Sequence, residues 1–317
     1  MAGWRSLRAS FQVRLVAAFA AVYLIWGGTY LAIRFAIESM PPFLMAATRF
    51  LVAGSLLYGW MRVRGEARPT RGQWKAAALV GALLFLGGNG GVTWAEQHIP
   101  SSLAASLIAT VPMWIVLLDW LRPGGVRPGA QVIMGLLVGF VGVVLLVGPR
   151  GGGAHEQVNP LGAAAVLLAA LFWASGSLAS RGAGLPSSAL LSSGMQMLIG
   201  GALLLAAGTV TGEWARFDVG AITPRSWLAL LYLIFLGAMV AFGAYAWLLR
   251  VSTPARVATY AYVNPVIAVF LGWSLGNEPL TAQTLVAAAC IIGAVAVITT
   301  YRARPRVPVA AGATSSR

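Results

Sequence analysis

The chain is a series of apolar blocks about 20 residues long, with charged residues almost only at the block ends. A helix rises 1.5 Å per residue, so ~20 residues cross a hydrocarbon core of ~30 Å. A membrane strand would instead alternate apolar and polar residues over ~10 positions, and these blocks do not alternate. Backbone polar groups in hydrocarbon must find partners within the protein, which leaves helices as the solution. Composition agrees. Of 317 residues, 59% are hydrophobic and 9% charged, against ~25% charged in soluble domains, and the mean hydropathy is +0.80. The pattern predicts an all-α polytopic membrane protein with ten spans, at about 14–36, 42–61, 74–95, 100–119, 130–148, 159–180, 186–209, 226–249, 254–274 and 280–301. Pro42, Pro100, Pro160, Pro186, Pro254 and Pro279 mark helix starts, because a first-turn proline forfeits no intrahelical hydrogen bond.

The charges orient the spans. The net charge is +14, and every basic residue except Lys75 is arginine. With the N-terminus inside, 17 basic residues fall in inner segments and four in outer ones, and Arg49 alone lies within a span. This bias predicts that both termini are cytoplasmic in a bacterial inner (plasma) membrane. Residues 1–13 are then a cytoplasmic segment, and 302–317, rich in Arg, Pro, Ala and Ser, a disordered cytoplasmic tail. The first block is too long for a signal-peptide core and has no small-residue cleavage site, so it reads as a retained helix. No basic stripe interleaves with aromatics, which argues against nucleic acid as a partner. Cys290 is the single cysteine and permits no intramolecular disulfide.

One half of the chain also repeats the other. At a shift of 153 residues Trp74 falls on Trp227, Trp94 on Trp247, Pro112 on Pro265 and Trp120 on Trp273. At 147, Trp26 falls on Trp173 and Arg34 on Arg181; at 154, Gly139 falls on Gly293. Four aligned tryptophan pairs among twelve tryptophans predict two five-helix repeats, 14–148 and 159–301, joined by an outer linker over 149–158. Five is odd, so the second copy enters the membrane from the opposite face. Inverted repeats are an architecture of alternating-access carriers with a midplane site.

TYAYVNPVIAVFLGWSLGNEPLTAQTLVAAACIIGAVAV, LIWGGTYLAIRFAI followed by PPFLMAATRF, and GNGGVTWAEQHIPSSLAASL together resemble EamA-type members of the drug/metabolite transporter superfamily, the YedA-like exporters among them. The resemblance runs over about residues 15–300 and implies ten helices in two inverted repeats and efflux of small metabolites. The first half departs from that pattern, because Gly125 stands opposite Glu278. Glu278 itself reads as a cap for the tenth helix.

Polar groups within the spans are the candidate pathway residues. Asn89, Thr93 and Glu96 share a helix face near the outer end of the third span, as a pathway wall or an interfacial cluster. Ser106 and Thr110 lie in a polar stripe that serves either a pathway or tight helix packing. Pro112 and Pro265 fall at similar depths on oppositely directed helices, each as a cavity-lining break or a packing kink. Thr259, Tyr262 and Asn264 flank the second break and are expected to face a central cavity with it. Trp26 and Trp173 lie well inside their spans. Arg49 reads as a buried partner for Glu38 or Glu96, a gate, or an attractor of anions.

Together these features predict a secondary transporter that exports small metabolites, amino-acid-like or drug-like, by alternating access around a midplane cavity. Facilitated export, exchange and proton antiport all remain open as coupling modes. A passive pore is the alternative, followed by a membrane-embedded enzyme. No P-loop sequence, clustered metal ligands or nucleophile constellation occurs, so no cofactor, metal or catalytic residue is expected. The expected partners are a small-molecule substrate and membrane lipid, with the chain a monomer or weak homodimer.

Overall fold

The computed structural model describes residues 2–99, 101–123, 125, 127–147, 159–276 and 282–300. All regular structure among them is helical: α1 (Ala2–Ile37), α2 (Pro42–Val63), α3 (Arg71–Ala95), α4 (Ser101–Ile108), α5 (Val111–Leu121), α6 (Ala130–Val147), α7 (Pro160–Ala179), α8 (Ala189–Val210), α9 (Pro224–Val251), α10 (Pro254–Ala258), α11 (Tyr260–Gly276) and α12 (Ala282–Thr300). Six stretches are long and apolar enough to cross a bilayer: Phe11–Ile37, Pro42–Val63, Arg71–Ala95, Pro160–Ala179, Ala189–Val210 and Pro224–Val251. Shorter apolar helices occupy Val111–Leu121, Ala130–Gly142 and Leu285–Ile298. The exterior is as apolar as the core. Leu24, Leu56, Leu168, Phe235 and Ile292 are all exposed, as expected where lipid replaces water.

Local chemistry fixes the helix ends. Thr70 and Gln73 form a capping box at the start of α3, and Asn159, Ser188 and Thr223 cap α7, α8 and α9. Pro42 opens α2 without a side-chain cap of its own. Buried Glu213 supplies one from a distant loop, accepting from Phe43 N at 3.1 Å and Leu44 N at 2.9 Å. A carboxylate there also meets the positive end of the helix dipole.

Two helices change their winding midway. α3 becomes a π-helix over Ala82–Gly90 and α9 over Leu233–Phe242. π segments are rare and gather at functional positions. Glycine makes the first one possible, because a Cβ on Gly87 would lie 2.7 Å from the Phe172 ring and one on Gly88 2.9 Å from Trp173. A break also falls where sequence placed the fourth span, with a turn at Ala109–Thr110 between α4 and α5. The ninth span breaks in a different place from that expected. Pro265 lies inside continuous α11, and the interruption is at Thr259. The Thr259 hydroxyl donates to Arg256 O at 2.6 Å, as Thr110 donates to Leu107 O at 2.7 Å. At each turn the carbonyl three residues back accepts from both the N–H and the hydroxyl of the threonine, so the break sits at the threonine. Glu278 lies outside the described residues.

The helices cross through glycine. α2 packs on α8, and α6 on α12. A Cβ on Gly54 would meet Leu198 N at 2.9 Å and Gly194 O at 3.0 Å; one on Gly194 would meet Tyr58 N at 2.8 Å. The two backbones are therefore in contact, the close approach that small residues permit where water supplies no drive for association. Gly54→Leu is expected to destabilise the protein by roughly 1–3 kcal/mol through overpacking, seen as a lower melting temperature in detergent. Gly59→Leu, on the same helix with open space at its Cβ, is expected to leave the melting temperature unchanged.

Candidate functional site

A cavity of about 70 Å³ lies where α1, α2, α3, α7, α9 and α11 converge. It has room for on the order of five water molecules. Its floor is aromatic. The Trp26 ring stands 5.5 Å from Trp173, edge-on, and 4.9 Å from Tyr260. Phe242 lies 6.3 Å from Trp173 and 4.9 Å from Phe85, which stacks at 4.5 Å on Phe50. Such tilted and edge-on pairs add stabilisation beyond area burial and hold the rings in fixed relation.

Hydrogen bonds tether this floor. Trp26 Nε1 donates to Gly237 O at 3.0 Å, inside the π segment of α9. Trp173 Nε1 donates to Tyr245 Oη at 3.1 Å, and that hydroxyl also meets Ser177 Oγ at 2.5 Å. The two tryptophans aligned between the halves of the sequence thus meet face to edge in one wall.

The polar side of the cavity is sparse. Arg49, 5% exposed, donates from Nε to Leu233 O at 3.2 Å and lays its guanidinium 4.6 Å from the Phe50 ring centre. The structure differs here from the ion pair expected with Glu38 or Glu96. Glu38 pairs instead with Arg225 at 3.6 Å, and among the described residues no carboxylate lies within ion-pair distance of Arg49. Two carbonyls of the π segment, Leu233 O and Gly237 O, thus accept from Arg49 and Trp26. Asn89, Thr29, Tyr30 and Asn264 complete the polar lining. Asn264 Oδ1 is buried and has no donor.

The other residues singled out from sequence lie around this cavity rather than on it. Tyr262 is fully buried on the far side of α11, donating to Leu136 O of α6 at 3.1 Å, with its ring against Gly139. Its neighbour Tyr260 takes the cavity position, one helical turn before Asn264. Restarting the helix after Thr259 puts 260 and 264 on one face and 262 on the opposite one. Thr259 is buried against Tyr23, 2.6 Å from its hydroxyl. Thr93 is buried and donates to Asn89 O at 2.9 Å. Glu96 is the C-cap of α3, fully buried, with both carboxylate oxygens lacking hydrogen-bond partners. Thr110 lies at its break, Pro112 is buried in the first turn of α5, and the Ser106 side chain lies outside what is described. Sequence reasoning did not find Tyr30, Phe50, Phe85, Phe242 or Tyr260. Aromatic residues at helical spacing look the same whether they face lipid, core or a cavity.

The sequence matches the EamA-like transporter family over residues 14–148 and 160–300. The chain belongs to that family. Among its relatives is the protein called uncharacterized inner membrane transporter YedA of Escherichia coli (strain K12), 38% identical over 287 residues, which span 90% of each chain. Another is the uncharacterized transporter YvbV of Bacillus subtilis (strain 168), 26% identical over 91% of this chain and 92% of that one. A solved crystal structure shares the fold, with a TM-score of 0.75 and 24% identity over 91% of this chain and 98% of that chain. EamA membership agrees with the expectation of a transporter rather than an enzyme.

A further pairing in this EamA chain concerns the two arginines that coincide at a shift of 147. Arg34 Nη1 donates to Glu96 O, the C-cap of α3, at 2.8 Å. Arg181 Nη1 donates to Ser252 O, the C-cap of α9, at 2.9 Å. Each cation thus covers a free carbonyl at the negative end of a helix dipole. Burial lowers the pKa of Arg181, countered by the nearby Asp119 carboxylate. With Cys290 replaced by serine, cysteines at Asn89 and Tyr260 are expected to react with small water-soluble thiol reagents, and one at Tyr262 to stay inert. Reaction at Tyr262 alone would place the aqueous route on the opposite face of α11.

Proposed function

We propose that the chain is a secondary transporter of the inner membrane that exports small metabolites by alternating access, its solute held in the aromatic cavity around Trp26 and Trp173. The observation that carries this reading is the meeting of that tryptophan pair in one cavity wall. A carrier built from two inverted five-helix repeats has its site on the pseudo-two-fold axis, where equivalent residues from the two halves converge. Several further pairings support the same symmetry. The π segments of α3 and α9 fall in corresponding places, and Arg34 and Arg181 cap corresponding helix ends. α2 packs on α8 and α6 on α12, which pairs the second helix of each repeat with its counterpart, and likewise the fifth. The inner membrane follows from the resemblance to YedA, and cytoplasmic termini from the 17-to-4 basic bias.

A cavity of about 70 Å³ walled by packed rings favours a carrier over a pore, which needs a continuous polar or charged lining. In proteoliposomes holding a panel of amino acids, organic acids and aromatic amines, flux is expected to saturate and to be stimulated by solute on the opposite side. Flux that rises linearly with concentration, without counter-stimulation, would indicate a pore.

A further inference from the structure

We infer that the cavity is a carboxylate site: its solute is a small organic acid with a short apolar body and a hydrogen-bond donor. The inference rests on the carrier reading and names its substrate class. Arg49 is the only charged residue lining the cavity among those described. A guanidinium withdrawn from water loses solvation that an internal carboxylate ordinarily returns, and here none is in reach. Its Nε is committed to Leu233 O and its face to Phe50. The terminal nitrogens remain, and Nη2 lies 3.1 Å from where a Cβ on Gly237 would stand. The missing side chain at Gly237 is what lets the guanidinium lie there. Two parallel N–H donors at the end of a planar guanidinium match the two oxygens of a carboxylate.

The rest of the lining specifies the remainder of the molecule. Asn264 Oδ1, 2% exposed at the residue level, is an acceptor with no donor, and leaving it unmatched is costly in a water-poor site. A ligand N–H or O–H supplies the missing partner. The Trp26, Trp173, Phe242 and Tyr260 rings of the lining offer apolar surface to a short chain. If Arg49 serves only to stiffen α2 against α9, its Leu233 and Phe50 contacts suffice and the cavity has no preference for charge.

The probe is radiolabelled lactate, with lactamide as its uncharged isostere, measured by equilibrium binding to the purified full chain in detergent. Wild type is expected to bind the carboxylate saturably and at least ~10-fold more tightly than the amide, the scale of a hydrogen bond to a charged group. Arg49→Gln is expected to abolish that preference, and Arg49→Lys to keep part of it. Equal affinity for the two probes, no carboxylate binding by wild type, or a preference that survives Arg49→Gln in folded protein would each overturn the inference. The wild-type comparison needs no variant, so a misfolded Arg49→Gln protein leaves the test intact. Failure of the carrier reading looks different: no solute of any charge shows counter-stimulated flux. Counter-stimulated flux of neutral solutes, with no carboxylate preference, would keep the carrier and remove the carboxylate site.

Discussion

In hydrocarbon a backbone carbonyl without a partner is more costly than in a soluble core, where water can reach it. Much of the organisation around the cavity follows from how such carbonyls are satisfied. Leu233 O and Gly237 O, in the π segment of α9, receive Arg49 and Trp26. At the breaks, the N–H and hydroxyl of Thr110 and of Thr259 both donate to the carbonyl three residues back. The open ends of α3 and α9 are covered by Arg34 and Arg181. Each interruption is repaired by a particular side chain, and the repair fixes where that side chain points. The polar and aromatic walls of the cavity are in large part the repairs to α9.

Glycine is the complementary requirement. Gly54 and Gly194 bring α2 and α8 into backbone contact, while Gly87 and Gly88 let Phe172 and Trp173 approach α3. Small residues give the close packing that holds a bundle together in lipid. They also leave the space at Gly237 into which Arg49 reaches.

Six of the ten expected spans appear as helices long and apolar enough to cross a bilayer, legible in the sequence because their length and apolarity answer directly to bilayer thickness. The Trp26–Trp173 relation was also legible, since an aligned pair of large rings stands out against a background of Leu, Ala and Val. Asn264 was found because a polar residue in an apolar block is conspicuous, and it does line the cavity. Tyr262 was expected at the cavity and Tyr260 overlooked because sequence marks polar residues beside Pro265 without showing which of two tyrosines on opposite faces of α11 lines the cavity. The π segments carry no local signature, since i→i+5 bonding arises when neighbouring helices press on glycine-rich turns. The partner of Arg49 was sought among carboxylates, but it is the Leu233 carbonyl at the start of the π segment of α9.

The central claim is that two halves of the chain move about a shared cavity. Double electron–electron resonance on two spin-labelled pairs, with Cys290 replaced by serine, tests it most directly. One pair joins exposed Gln97 and Asp218 on the expected outer side; the other joins exposed Arg127 and Gly182 on the expected inner side. Adding a solute that shows counter-stimulated flux is expected to shift the two distance distributions in opposite directions, one side closing as the other opens. Distributions that stay fixed, or that lengthen together, would contradict alternating access.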